Sequence, residues 1–331
     1  MLSQAGAGPY FDELTVGQRF TSAPAMTLTP GLAAAHQAIT GDRLALMLDQ
    51  DLCRKVTGSD PLAHPGLVWD VAIGQSTIVT QHVTANLFYR GLAFRRVPRL
   101  GDTLRTCTEV VALRQNRQRE GRAPTGLAAL RITTTDQDGQ PVLDFWRCAM
   151  LPLRDPAART GHRDDLDAVG DHIVPAELAA LVSGWQLTEF AARAGGPHPA
   201  GLRAGERFEV AGGDVVSSAP ELARLTLNVA AVHHDVQATG NGRLVYGGHA
   251  IGLALSQAAR ALPSLVTVLG WHGCEHLAPV REGDTLRSTI SVEQVDDLPG
   301  GAGLVHLRSE VRADGPAARD VLDWRYVALL A

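Results

Sequence analysis

The sequence predicts an α+β protein built from two similar tandem domains, each an apolar helix packed on an antiparallel sheet. Three features point to it. Short matches recur between the two halves of the chain in one order, at spacings that drift only from 188 to 179 residues, which marks an internal duplication. Each half holds one Gly- or Pro-opened apolar run suited to a buried helix. After that run, each half reads as consecutive strand-like segments joined by turns, and hairpin-connected strands that follow a helix imply an antiparallel sheet packed on it.

The matches begin at Gly17 and Gly205, in F-D-E-L-T-V-G-Q-R-F and G-L-R-A-G-E-R-F. Ala38–Asp42 (A-I-T-G-D) stands against Arg224–Asn228 (R-L-T-L-N), and Leu62–Gly66 against Leu244–Gly248. Gly101–Arg105 repeats residue for residue at Gly283–Arg287, and Val142–Phe145 (V-L-D-F) is echoed by Val321–Trp324 (V-L-D-W). The helices are expected over about Leu67–Thr80 and Ala250–Leu262, the second stopped by Pro263. Strands are expected over Asn86–Phe94, Asp102–Arg114, Thr125–Thr135 and Val142–Pro152. Their counterparts are Val266–His276, Asp284–Val295, Gly303–Arg312 and Val321–Leu329. Asp138-Gly139 and Asp314-Gly315 are the turn signals between neighbours. The expected division is a first domain over 10–153, a Pro-, Gly- and Asp-rich linker over 154–200 with a helix around Pro175–Val182, and a second domain over 201–331.

Composition excludes several function classes. The chain has 331 residues, enough for about two domains, with 45% hydrophobic and 20% charged residues, as in a soluble globular protein. A formal charge of −5 argues against nucleic acid as the main partner. Four cysteines lie far apart without a C-x-x-C, so reduced thiols in a cytoplasmic protein are expected, not a zinc site or a disulfide framework. The N-terminal residues M-L-S-Q-A-G-A-G-P-Y do not read as a signal peptide. No stretch of about 20 apolar residues would span a membrane. No G-x-G-x-x-G or P-loop suggests a nucleotide cofactor. A homodimer is compatible with the sequence but not specified by it.

The chemistry concentrates between Asn228 and His249, read as N-V-A-A-V-H-H-D, a short loop, then R-L-V-Y-G-G-H. His233 is the candidate acid/base, because an imidazole titrates near neutrality. Asn228 is its polar partner. Gly247 and Gly248 open the helix, and the Gly248 and His249 N–H groups are the candidate oxyanion hole, because free N–H groups at a helix start suit an oxyanion. Asp235 and Tyr246 complete the candidate binding set. Each has a plainer role open to it: Asn228 and Asp235 as turn caps, Tyr246 as a pocket wall and Gly247-Gly248 as a tight turn. His272 and His276, in W-H-G-C-E-H, suggest a metal cluster at first sight; strand alternation puts both on one face, and packing is the expected role. Arg90, Arg95, Arg96 and Arg99 are either phosphate contacts or solvated side chains.

One helix wrapped by a sheet, duplicated, with a D/N-x4-H spacing ahead of a Gly-opened helix, resembles the MaoC-like dehydratases of the hot-dog fold. T-A-N-L-F-Y-R-G-L-A-F-R-R-V-P-R-L-G-D-T-L, E-V-V-A-L-R-Q-N and V-L-D-F-W-R resemble the first half of the mesaconyl-CoA hydratases (also called beta-methylmalyl-CoA dehydratases). V-H-H-D and R-L-V-Y-G-G-H resemble their second half. The resemblance implies a double hot-dog fold and a hydro-lyase acting on a short branched or dicarboxylic enoyl-CoA. Its catalytic pair falls on Asn228 and His233, and its helix start on Gly247, Gly248 and His249. It implies no metal and no cofactor beyond the coenzyme A of the substrate. In the first half the matching positions are Asp42 and Met47. A Met carries no proton, so that half lacks the pair and would supply part of the acyl-CoA groove. Many members have Asp where this chain has Asn228, and an amide cannot act as a base. That leaves proton transfer to His233, with Asp235 as the second candidate. The alternatives are an (R)-specific enoyl-CoA hydratase, a 3-hydroxyacyl thioester dehydratase, or a non-catalytic acyl-CoA binding protein.

Overall fold

A computed structural model describes residues 8–170, 172–239, 242–315 and 318–331. The first half carries β1 (Arg19–Phe20), β2 (Met26–Thr27), α1 (Pro30–Thr40), α2 (Ala45–Leu48), α3 (Gln50–Thr57) and α4 (Pro65–Ser76). Then come β3 (Ala85–Phe94), β4 (Thr103–Gln115), β5 (Thr125–Thr135) and β6 (Pro141–Pro152). After α5 (Pro175–Leu181) and α6 (Leu187–Ala191), the second half has β7 (Arg207–Glu209), β8 (Asp214–Val215), α7 (Ala219–Leu225) and α8 (Gly247–Ala261). It ends with β9 (Leu265–His276), β10 (Thr285–Asp297), β11 (Gly303–Ala313) and β12 (Arg319–Leu330). The expected α+β class holds, and the eight long strands lie within three residues of where the alternation predicts them.

All the long strands join one antiparallel sheet in the order β1-β4-β5-β6-β3-β9-β12-β11-β10-β7. Read outward from the centre, each half has its first long strand, then its fourth, third and second. The two orders are therefore mirror images about the β3–β9 seam, where Tyr89 pairs with Cys274 and Ala93 with Gly270.

The two central helices are enclosed. Every residue of α4 is buried, and α8 is buried from Gly248 to Ala259. An amphipathic stripe is absent because protein surrounds both helices. Each buried Leu, Val, Ile or Trp of α4 contributes roughly 1.5–3 kcal/mol by leaving water. Trp69 of α4 meets Trp271 of β9 at 4.8 Å between ring centres, and Trp271 meets Trp324 of β12 at 5.6 Å, so the first helix is pinned onto the second half's strands. The helix expected to reach Thr80 ends at Ser76, because the Ser76 and Thr77 hydroxyls turn back onto the Ile73 and Gly74 carbonyls.

Residues 154–200, expected as a linker, are not a free tether. Ile173, Leu178, Val182 and Phe190 pack on Val266, Leu269, Val327 and Leu329 of the second half's strands. Residues 1–7, which hold most of the N-terminal segment judged above, lie outside the described residues. No helix among the described residues is long and apolar enough to cross a membrane. Cys53, Cys107, Cys148 and Cys274 are free thiols.

Candidate active site

Asn228 sits where two elements collide. Helix α7 ends with the Thr226 hydroxyl bonded to Leu222 O, and Leu227 then takes a left-handed conformation at φ 61°. For a leucine this is strained by roughly 1–2 kcal/mol; the repeat partner, at φ 65°, is Gly41. The chain is held there by α4. A Cβ on Gly74 would lie 1.7 Å from Thr226 O, so only glycine admits this crossing. Beyond it, Val229 N–H donates to Thr77 Oγ1 at 2.9 Å. Asn228 itself is buried. Its Oδ1 accepts Ala230 N–H at 3.0 Å, and its carbonyl accepts His234 Nε2–H at 2.6 Å. With Oδ1 taken, the amide NH2 is the group it offers to the cavity it lines.

His233 ends a short 3-10 turn and faces the same cavity. Its Nδ1 stands 2.9 Å from Leu244 O, which fixes the proton on Nδ1 and leaves Nε2 as a lone pair. Burial drives its pKa down to about 4; the Leu244 carbonyl opposes this, and His234 and Arg147 add to it. The imidazole is neutral at pH 7, as a base must be.

The helix start differs from the sequence expectation in its details. Gly247 lines the cavity; Gly248 and His249 do not. His249 N–H is already committed to Tyr246 O at 2.9 Å, so it is not an oxyanion donor. Its ring is wholly buried, with both nitrogens unpartnered. Gly248 lies under Asp70 and the Tyr246 ring: an added Cβ would meet Asp70 Oδ1 at 2.1 Å. Of the three, Gly247 is the one that lines the cavity, and its N–H, at the first helical position, has no intrahelical acceptor. Tyr246 does wall the cavity. Its ring meets His233 at 5.7 Å, and its hydroxyl donates to Asp70 Oδ1 at 3.0 Å. Asp235 is corrected as well. It is exposed and caps the 236–238 turn through Gln237 N–H at 2.9 Å, away from the cavity.

The cavity has a volume of about 610 Å³, within the usual range for a small-molecule site. Its lining is exposed at Thr84, Ala238, Leu277 and Pro279 and buried at Ile73, Tyr89 and Arg147. Asn86, Arg147 and Arg281 escaped the sequence reading, and His276 was expected only to pack. Asn86 brings an amide whose two polar atoms are buried without partners. His276 points its unpartnered Nε2 at the helix start, 2.4 Å from where a Gly247 Cβ would be; burial lowers its pKa to about 4. Arg147 and Arg281 also line the cavity. A register shift between Tyr326↔Trp271 and Arg325↔Gly273 breaks the alternation. It turns His272 outward to His306 while His276 faces in, so the two do not share a face. The available signal for Arg147 was a cation inside an apolar strand. Arg90, Arg95, Arg96 and Arg99 line no part of the cavity. Arg90 binds the Leu166 and Val169 carbonyls, Arg95 pairs with Glu177, and Arg96 pairs with Asp102 and Asp136.

No protein-family model matches the chain. Among solved structures, a conserved hypothetical protein of Mycobacterium tuberculosis with a double hot-dog fold is 55% identical, superposes with a TM-score of 0.92, and covers 99% of this chain and 100% of its own. The chain belongs to the double hot-dog family. Two curated relatives of this double hot-dog protein have names that state an activity. Beta-methylmalyl-CoA dehydratase of Chloroflexus aurantiacus is 27% identical over 96% of this chain and 91% of the relative. Mesaconyl-CoA hydratase of Cereibacter sphaeroides is 26% identical over 92% and 89%. The resemblance to MaoC-like dehydratases read from the sequence agrees with these matches.

The first hot-dog half shows why its equivalent position differs. His64 Nδ1 accepts Gly66 N–H at 3.0 Å and so caps the helix start that Tyr246 leaves open in the second half. His64 Nε2 stands 2.9 Å from Asp42 Oδ1. Burial alone would raise the Asp42 pKa, but His64 and the Leu44 N–H outweigh it and hold the carboxyl low. His36 Nε2 pairs with Asp70 Oδ2 at 3.1 Å, and Met47 packs against the core. None of these five first-half side chains lines the cavity.

Proposed function

We propose that the chain is a hydro-lyase that adds or removes water across the double bond of a short branched or dicarboxylic enoyl-CoA of the mesaconyl-CoA kind. The observation that carries it is His233: a half-buried imidazole, held neutral, that shares a cavity with the uncapped helix start and has its Nε2 free. The names of the two curated relatives support hydration or dehydration of an acyl-CoA.

In the hydration direction, His233 Nε2 takes a proton from water and the hydroxyl adds to the β-carbon. The π electrons move onto the thioester oxygen, which accepts Gly247 N–H at the positive end of α8. The imidazolium then returns the proton to the α-carbon, and dehydration reverses each step. Asn228 orients the water with its amide. Asn86 and His276 are further donors or acceptors for the water and the thioester. Coenzyme A lies over the rim, where the Arg281 guanidinium, which donates to the Gly242 and Arg243 carbonyls and forms no ion pair among the described residues, meets a phosphate. No metal, flavin or nicotinamide enters these steps. A cytoplasmic setting and a homodimer go with the proposal; light scattering on a sizing column decides the second.

The test is loss of enoyl-thioester absorbance with crotonyl-CoA and mesaconyl-CoA. Turnover of mesaconyl-CoA supports the proposal. Preference for crotonyl-CoA would favour an (R)-specific enoyl-CoA hydratase or a 3-hydroxyacyl thioester dehydratase. Tight binding of coenzyme A esters without turnover would favour the binding protein, for which the amide at 228 is the supporting observation. Release of free thiol without hydration would indicate a thioesterase.

A further inference from the structure

Arg147 is a buried cation that water addition does not use. It comes from β6, opposite Tyr89 of β3, and is only 3% exposed. Nη2 donates to Thr80 Oγ1 at 2.7 Å and to Ser76 O at 3.3 Å, the carbonyl end of α4. The Tyr89 hydroxyl lies beside the guanidinium. These are neutral groups and one helix C-terminus; they hold the cation but do not neutralise it. Among the described residues no Asp or Glu forms an ion pair with Arg147, and its Nε–H has no acceptor. An unpaired buried charge is costly and seldom retained without use. It lines the same cavity as His233 and is buried, whereas Ala238, Leu277 and Pro279 of the rim are exposed, so it is placed to meet the inner end of a short acyl chain. The wall between is largely apolar, with Ile73, Val83, Ala230 and Val232.

We propose that Arg147, with the Tyr89 hydroxyl, receives a second carboxylate at the far end of the acyl chain, so that the cavity selects thioesters of dicarboxylic acids. The proposal rests on the acyl-CoA function above and adds the group that distinguishes one acyl class from another. A bound carboxylate neutralises the guanidinium and gives the otherwise unpartnered Nε–H or its Nη neighbours an acceptor. An acyl chain ending in methyl leaves the cation bare, and a site with an unsatisfied buried charge discriminates strongly against such a ligand.

The test uses saturated esters, which cannot be hydrated, so it does not depend on turnover. Dissociation constants for succinyl-CoA and butyryl-CoA are measured by calorimetry on the full chain. The wild type is expected to bind succinyl-CoA at least tenfold more tightly. In Arg147→Met that ratio falls to about one, and Arg147→Lys, which keeps the charge, retains part of it. Circular dichroism verifies that the variants are folded. If Arg147→Met does not fold, the wild-type ratio alone decides. Equal affinities or a butyryl-CoA preference in the wild type would overturn the proposal, as would a Met variant that keeps the tenfold ratio. Failure to hydrate any enoyl-CoA would instead count against the hydro-lyase, while the affinity ratio still reports on Arg147.

Discussion

At the scale of single residues, the site depends on a histidine kept neutral. Burial lowers the His233 pKa to about 4, so the base form persists well below the ordinary range of histidine. kcat/KM for hydration should therefore stay level from pH 8 down to about 5 and fall only near 4; an acid limb near 6.5 would contradict the burial argument. His233→Ala should lower kcat/KM by roughly 10²–10⁴, the usual contribution of a positioned acid/base. It should cost only about 1 kcal/mol of stability, for the bond to Leu244 O. Asn228→Asp should keep or raise activity, because a carboxylate can accept the proton an amide cannot. The new charge would also raise the His233 pKa and move the acid limb of the pH profile upward. Loss of activity in the Asp variant with the limb unmoved would remove Asn228 from the water-binding role.

At the scale of elements, the site is a crossing of one half's helix with the other half's loop. Gly74 of α4 touches the carbonyl of Thr226, and two residues later the chain must present Asn228. Gly74→Ala offers a clean contest of magnitudes. Alanine should favour the helix by about 1 kcal/mol over glycine. Against that stands a 1.7 Å overlap with a backbone carbonyl, which cannot swing aside as a side chain can. Overpacking costs typically 1–3 kcal/mol, so the variant should be less stable by denaturant unfolding and should lose activity as the loop moves. A stabilised, fully active Gly74→Ala would mean that the helix and loop are farther apart in solution. The strained Leu227 belongs to the same junction. Its repeat partner is a glycine, so the second half holds a leucine in a conformation that the first half assigns to a residue without a side chain.

At the scale of the whole molecule, several histidines are stored neutral in the interior. Burial takes His233, His249 and His276 each down to about 4. In the unfolded chain a histidine titrates near 6.5, so between those values the unfolded state binds more protons than the folded one. Stability should be complete above pH 6.5 and decline as the pH falls toward 4, read as a falling Tm in that window. His249 has both ring nitrogens unpartnered, so His249→Leu should flatten part of the slope and raise Tm at pH 5 relative to the parent. A slope unchanged in that variant would assign the acid lability to other groups.

The sequence by itself determined the duplication, the eight long strands to within three residues, the two buried helices, and the gathering of Asn228, His233, Tyr246 and Gly247 at one cavity. Those features are local: alternation, turn residues and short spacings are written along the chain. Only the tertiary structure decided which helix-start donor is free. Gly66 N–H is capped by His64, His249 N–H by Tyr246 O, and Gly247 alone of the predicted donors lines the cavity. The same holds for Asn86 and Arg147, from the paired strands β3 and β6, and for His276 of β9, which reaches them only because the two halves join across the β3–β9 seam. A periodic pattern gives the face on which a residue lies, but which faces confront each other is settled by packing between distant segments, and one register shift at Trp271–Gly273 was enough to reverse the expected face of His272 relative to His276.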